Sequence, residues 1–211
     1  MSEWRYFHGE NGITFSLFGT TDQKFILRLL QNCIWDDDAM KKALGKEKTV
    51  TVHLFPSFGR NAGYGEPDAL LFVGEYLIFV ELETSGLEKS LGNKCFTGQM
   101  KRFSELGIQL MKTGIKKILK DKKFIGEDGR AFGGRKSTRR VFMQIKKTAW
   151  RVCLLSVLDE KEKLSENMLA VLREKIRIPA EVSVGIISYN KICRMKNKGV
   201  LNKVIRHVLA K

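Results

Sequence analysis

Histidine, cysteine and proline are scarce in this 211-residue chain, and none of them is arranged for obvious chemistry. His8, His53 and His207 are scattered, with no HxH or HxxxH spacing, which argues against a metal site built on imidazoles. Cys33, Cys95, Cys153 and Cys193 form no CxxC pair, so reduced thiols are expected rather than disulfides or a zinc site. The three prolines, Pro56, Pro67 and Pro179, each fall near the edge of a predicted element. No GxSxG elbow, internal repeat or long low-complexity linker occurs. The longest apolar run, Ala69 to Val80, is too short to span a bilayer and is broken by Glu75. The N-terminal stretch lacks the pattern of a secretory signal, so a cytoplasmic protein with no membrane association is expected. Acid is missing too: after Glu181 come seven basic residues and no Asp or Glu.

What is present is the composition of an ordinary globular domain, 43% hydrophobic and 29% charged, with a formal net charge of +15. That charge is unevenly spread. Residues 1–90 hold 9 Lys/Arg against 13 Asp/Glu, whereas residues 91–211 hold 29 against 10. Residues 112–147 alone carry 13 basic and 3 acidic side chains. General solubility would interleave the signs, so a polyanionic partner is expected, foremost nucleic acid. An anionic membrane surface or a ribosomal contact is the alternative.

Hydrophobic spacing divides the chain into elements. Phe25, Ile26, Leu29, Leu30 and Cys33 form a helical stripe, with Thr21 or Asp22 as its N-cap. "KTVTVHLF" alternates as a strand does, and "PDALLFV" and "YLIFVELE" read as strands covered on both faces. A long amphipathic helix follows from Phe96, with a break expected at Gly107 or Gly114. "WRVCLLSVL" and "EVSVGIISY" are strands, separated by a helix in 160–176, and a basic helix closes the chain. The order is α-β-β-β-α-β-α-β-α, a mixed α/β fold with a central sheet flanked by helices. Residues 1–211 read as one domain, with a C-terminal α-β-α extension over about 160–211.

Between the long helix and Trp150 lies a Gly-rich, cationic stretch, expected to form a basic flap over about 121–140. Its "GGRKST" is not a phosphate-binding GxxxxGK[ST] loop, because Arg135 separates Gly134 from Lys136 and no strand leads into it. Lying along a phosphodiester backbone suits such a flap better, with Arg130, Arg135, Lys136, Arg139 and Arg140 as the binding residues. Trp4, Tyr6 and Phe7 could stack on bases, although capping a core edge is the commoner task.

The acids concentrate at the two apolar strands. With Gly74 and Glu75 as the loop of a type II′ hairpin, Val73 pairs with Tyr76 and Asp68 falls directly across from Glu81. Opposed side chains lie ~5 Å apart, and Glu83 projects from the same face ~7 Å further on. Like charges so placed repel, and the patch needs water, cations or a divalent metal. Oxygen-only ligands suit Mg²⁺ or Mn²⁺.

The motif Pro67-Asp68 … Glu81-Leu82-Glu83 resembles that of the PD-(D/E)XK nuclease superfamily, and the element order resembles the restriction-endonuclease-like core, here about 21–158. The resemblance implies a metal-dependent nuclease acting on DNA, with Mg²⁺ (or Mn²⁺) held by Asp68, Glu81 and the Leu82 carbonyl. Glu83 occupies the family's Lys position, as in some restriction enzymes that carry a second Glu there, and is a second ligand or base. Lys89, Lys94 or Lys101 is then the source of positive charge. Gln99-Met100-Lys101-Arg102-Phe103 is similar to a Q-x-x-x-Y motif of some branches, which implies that Gln99 points to the acids and Lys101 or Arg102 to phosphate. Asp22 or Glu10 is a candidate further acid from the first helix. A non-catalytic nucleic-acid-binding module on the same fold, or a homodimer or subunit of a larger assembly, is the alternative.

Overall fold

The structure, a computed structural model, describes residues 9–56, 65–120, 151–161, 163–195 and 200–209. The expected basic flap, with Arg130, Arg135, Lys136, Arg139 and Arg140, lies outside the described residues, as do Trp4, Tyr6, Phe7 and His8. Among the described residues no helix is long and apolar enough to cross a membrane.

Helix α1 (Gly9–Thr14) runs into a π-helical turn (Phe15–Gly19) and is followed by α2 (Gln23–Asn32), β1 (Ile34–Trp35) and α3 (Asp38–Leu44). A three-stranded meander comes next: β2 (Thr51–Leu54), β3 (Ala69–Val73) and β4 (Tyr76–Glu83). After α4 (Leu87–Gly92) and α5 (Lys94–Lys120) come β5 (Arg151–Leu158), α6 (Glu166–Ile176), β6 (Ser183–Ser188), α7 (Tyr189–Met195) and α8 (Val200–Leu209). The six strands form one sheet in the order β1-β6-β5-β4-β3-β2. β2, β3 and β4 are antiparallel neighbours, while β4, β5 and β6 are parallel. The fold is therefore mixed α/β, an open sheet flanked by helices. β6, in the part of the chain expected to be an extension, lies inside the sheet between β5 and β1.

Both sheet faces are covered, which explains why β3 and β4 are almost wholly apolar. Ala69, Leu71, Val73, Tyr76, Ile78, Val80 and Leu82 face one core, shared with buried residues of α1, α2, α3, α7 and α8. Leu70, Phe72, Leu77 and Phe79 face the other, beneath α4, α5 and α6. The hairpin register is the expected one, from Val73–Tyr76 to Ala69–Val80. Gly74 has φ +55 while Glu75 keeps a negative φ, the combination a II′ turn requires. Asp22 is the N-cap of α2, its carboxylate accepting from the Phe25 N–H at 2.7 Å. The Thr21 hydroxyl instead donates to the Leu17 carbonyl.

Helix α5 departs from expectation. It is continuous through both Gly107 and Gly114, and Gly107 serves a close approach instead: a Cβ there would lie 2.4 Å from Val152 Cγ1 on β5. Short elements were not foreseen, because two-residue β1 and seven-residue α3 carry too little periodicity. Strand β1 is held by tertiary bonds. Asp36 accepts from the Val184 N–H at 2.8 Å and pairs with Arg173 of α6. Arg173 also donates to the carbonyls of Ile178 (3.2 Å), Pro179 (2.7 Å) and Val182 (2.7 Å).

The four cysteines are free thiols, as expected. Burial pushes the Cys33 and Cys153 thiols well above the usual range, and raises Cys193 as well. Under native conditions exposed Cys95 should react first with a thiol reagent, and Cys33 and Cys153 only on unfolding; prompt labelling of Cys153 would contradict the packing. Gly107→Ala would gain about 1 kcal/mol of helix propensity, whereas overpacking against Val152 costs about 1–3 kcal/mol. A net loss of stability is therefore expected in urea melts, and a gain would show that α5 can move off β5.

Candidate active site

Beyond the Ala69–Val80 rung the main chains of β3 and β4 part, and the acids begin. Asp68 sits in a bend just before β3. Its backbone carbonyl accepts from the Phe55 N–H at 3.1 Å, and its side-chain Oδ2 accepts from the Leu82 N–H at 2.8 Å. The carboxylate therefore takes the place of a main-chain acceptor where the ladder ends. The N–H and C=O of a strand residue point to the same side, so the Leu82 carbonyl is also turned towards the Asp68 side.

Glu81 is across the next rung and continues the Leu77, Phe79 face of β4 beneath α5. It is only 6% exposed. Its partner in the parallel register is Ser156, itself fully buried, whose hydroxyl lies 3.9 Å from Met100 Sδ. Below this row the Phe79 and Phe103 rings stack at 5.5 Å between centroids. Burying a carboxylate costs several kcal/mol unless it is paired, hydrogen-bonded or metal-bound. Packing alone would favour another apolar residue after Leu77 and Phe79. Ser156 was not singled out in the sequence, although a hydroxyl inside "RVCLLSVL" at the parity of Val152 and Leu154 was the available signal.

Glu83 behaves differently. It is half-buried, and its Oε1 accepts from Asn93 Nδ2 at 3.4 Å, at the junction of α4 and α5. Among the described residues no three Asp, Glu, His or Cys side chains are grouped so as to hold a metal ion. The expected convergence of three carboxylates is thus reduced to Asp68 and Glu81 just beyond the Ala69–Val80 rung, with Glu83 drawn towards Asn93.

Helix α5 lies over this row through Phe96, Met100 and Phe103, all fully buried. Gln99 is next to that stripe and half-buried, its Oε1 3.5 Å from Cys95 Sγ. Lys101 is exposed, on the far side of the helix from Met100 and Phe103. Lys89 and Lys94 are exposed as well. Arg102 is the cation of α5 packed towards the segment leading into Asp68. Its Nε and Nη2 lie 3.7 and 3.8 Å from where a Gly65 Cβ would be, and Gly65 has φ +76. Asp22 is occupied as the α2 cap, and the Glu10 side chain lies outside the described residues. His53 stands edge-on to Phe72 at 5.4 Å, a packing role.

The donor set fits a hard cation. Mg²⁺ is commonly held by one or two carboxylates, with waters and substrate phosphate completing its octahedron, so Asp68, Glu81 and the Leu82 carbonyl suit Mg²⁺ or Mn²⁺ without a third carboxylate.

No protein-family model, curated protein or solved structure matches the chain, so the chemistry of the site rests on its own residues.

Because the Asp68 side chain replaces a main-chain acceptor, Asp68→Ala should lower stability by about 1–3 kcal/mol by leaving the Leu82 N–H unsatisfied. Asp68→Asn, which keeps an acceptor oxygen, should cost less. Equal denaturation midpoints for the two variants would show that this bond carries no weight.

Proposed function

We propose that the chain is a metal-dependent nuclease hydrolysing phosphodiester bonds in DNA. One observation carries the reading: buried Glu81 and Asp68 are the residues next beyond the last β3–β4 rung, Ala69–Val80, and the Asp68 carboxylate is oriented by the Leu82 N–H at that open end of the hairpin. The order α-β-β-β-α-α-β from α3 to β5, on a mixed sheet, supports a restriction-endonuclease-like core, with α4 a short addition before the long α5.

In this reading Asp68, Glu81 and the Leu82 carbonyl hold Mg²⁺ or Mn²⁺. The ion, when bound, supplies Lewis-acid stabilisation of the charge that builds on the phosphate. The protein's part is to place and orient. The Leu82 N–H fixes the Asp68 carboxylate, so its second oxygen is presented in a single geometry. The apolar floor of Phe79, Met100 and Phe103 keeps water from beneath Glu81 and strengthens electrostatic interactions there. Glu83, at the family's Lys position, is a second ligand or a base for the attacking water, and Asn93 orients it. Gln99 flanks the row, and Arg102 supplies positive charge from the same helix. Lys101, on the solvent side, is better placed to meet nucleic acid than the reacting phosphate.

The alternative is a nucleic-acid-binding module without catalysis. The position of Glu83, turned to Asn93 where the family has a Lys, favours it. A homodimer or larger assembly is compatible with either reading.

A cleavage panel of single-stranded, duplex and branched DNA and of RNA, in Mg²⁺ and in Mn²⁺, separates them. Asp68→Asn and Glu81→Gln should each reduce cleavage by on the order of 10³-fold or more, since several kcal/mol of charge stabilisation are lost. Binding in EDTA should change little. A wild-type chain that binds but cleaves no substrate with either metal would leave the binding module.

A further inference from the structure

A second feature lies along the same sheet edge. Past the carboxyl ends of β5 and β6 is an open groove of about 670 Å³. It is lined by Lys161 and Lys163 from the segment after β5, by Lys191 and Arg194 of α7, and by Asn32 and Ser188. Lys191 and Arg194 are three residues apart and so share a face of α7. The Ser188 hydroxyl accepts from the Lys191 N–H at 3.3 Å and fixes the start of that helix.

Among the described residues one acid lines the groove, Glu160, and its carboxylate accepts from the Leu87 N–H at 2.9 Å. Four cations therefore line one concave surface. Two of them belong to the stretch after Glu181, which holds no acid at all.

Position gives the groove its meaning. Glu83 pairs with Leu158, and Leu158 with Ser188, in one continuous row across β4, β5 and β6. Two interstrand spacings make the separation between the Glu83 and Ser188 backbones ~10 Å. That is the axial rise of about three nucleotides of one strand, at 3.4 Å each. Ligands of open sheets with parallel strands also gather outside the carboxyl ends of those strands.

We propose that this groove binds the phosphodiester backbone of a nucleic-acid strand through Lys161, Lys163, Lys191 and Arg194, about three nucleotides from Glu83. The proposal extends the nuclease reading by giving the strand a path, but the binding itself needs neither metal nor cleavage.

The test is equilibrium binding of fluorescent single-stranded and duplex oligonucleotides in EDTA, repeated over a salt series. Lys191→Glu with Arg194→Glu, and separately Lys161→Glu with Lys163→Glu, should each weaken binding at least tenfold. In each double variant the slope of log K against log salt should fall by about 1.4–1.8, as expected for two lost phosphate contacts. Lys46→Glu with Lys48→Glu is the control of equal charge change. Those lysines are exposed and flank Glu47, which abuts Gly74 at the opposite end of the sheet. The control should bind within about twofold of wild type. Unchanged affinity and slope in both groove variants, shown to be folded by circular dichroism, would overturn the proposal. So would an equal loss in the control, which would mark general charge rather than a groove. With metal chelated, a failure here is separate from a failure to cleave.

Discussion

The reversal at Gly74–Glu75 determines which residue of β3 faces which residue of β4. A slip of one residue would carry each side chain to the opposite sheet face. Leu71 and Val73 would leave one core for the other, and Asp68 would no longer meet the Leu82 N–H beside Glu81. Because both faces are packed, such a slip is opposed along the whole length of the hairpin, by Leu70, Phe72, Leu77 and Phe79 on one side and Leu71, Val73, Ile78 and Val80 on the other. Gly74 makes the tight turn available at φ +55, a value that a β-carbon would strain. The placement of two negative charges thus rests on apolar packing several residues away from them.

Helix α5 depends on that register in turn. Its stripe of Phe96, Met100 and Phe103 meets the face formed by Leu77, Phe79, Val152 and Leu154, and Gly107 lets it lie close to β5. The same approach packs Arg102 against Gly65. Core and site are therefore not separate: the apolar floor beneath Glu81 is the upper end of the core that holds α5 in place. The parallel arrangement of β4, β5 and β6 extends this edge sideways, so that the acidic row and the basic groove lie along one boundary of the sheet.

Much of this could be read from residue order. The II′ turn, the Asp22 cap, the buried strands and the reduced thiols follow from local rules of spacing and residue type, and the structure has them. The break expected in α5 is a case where a local rule misleads. Gly107 lowers helix propensity whatever surrounds it, but its neighbour across space, Val152, leaves no room for anything larger. Likewise, nothing in "IWDDD" announces a strand, since β1 exists through Asp36, Arg173 and Val184. Glu83 appeared equivalent to Glu81 by spacing, yet Asn93 accounts for its different setting.

Periodicity and charge distribution alone were enough to establish a mixed α/β chain, the hairpin register and the basic bias of the second half, because each depends on residues close together in sequence. Tertiary structure alone decided that β6 sits inside the sheet, that Ser156 is in register with Glu81, and that Lys161, Lys163, Lys191 and Arg194 line one groove. Those relations join residues tens of positions apart, and they arise only when the packing of both sheet faces sets the order of the strands.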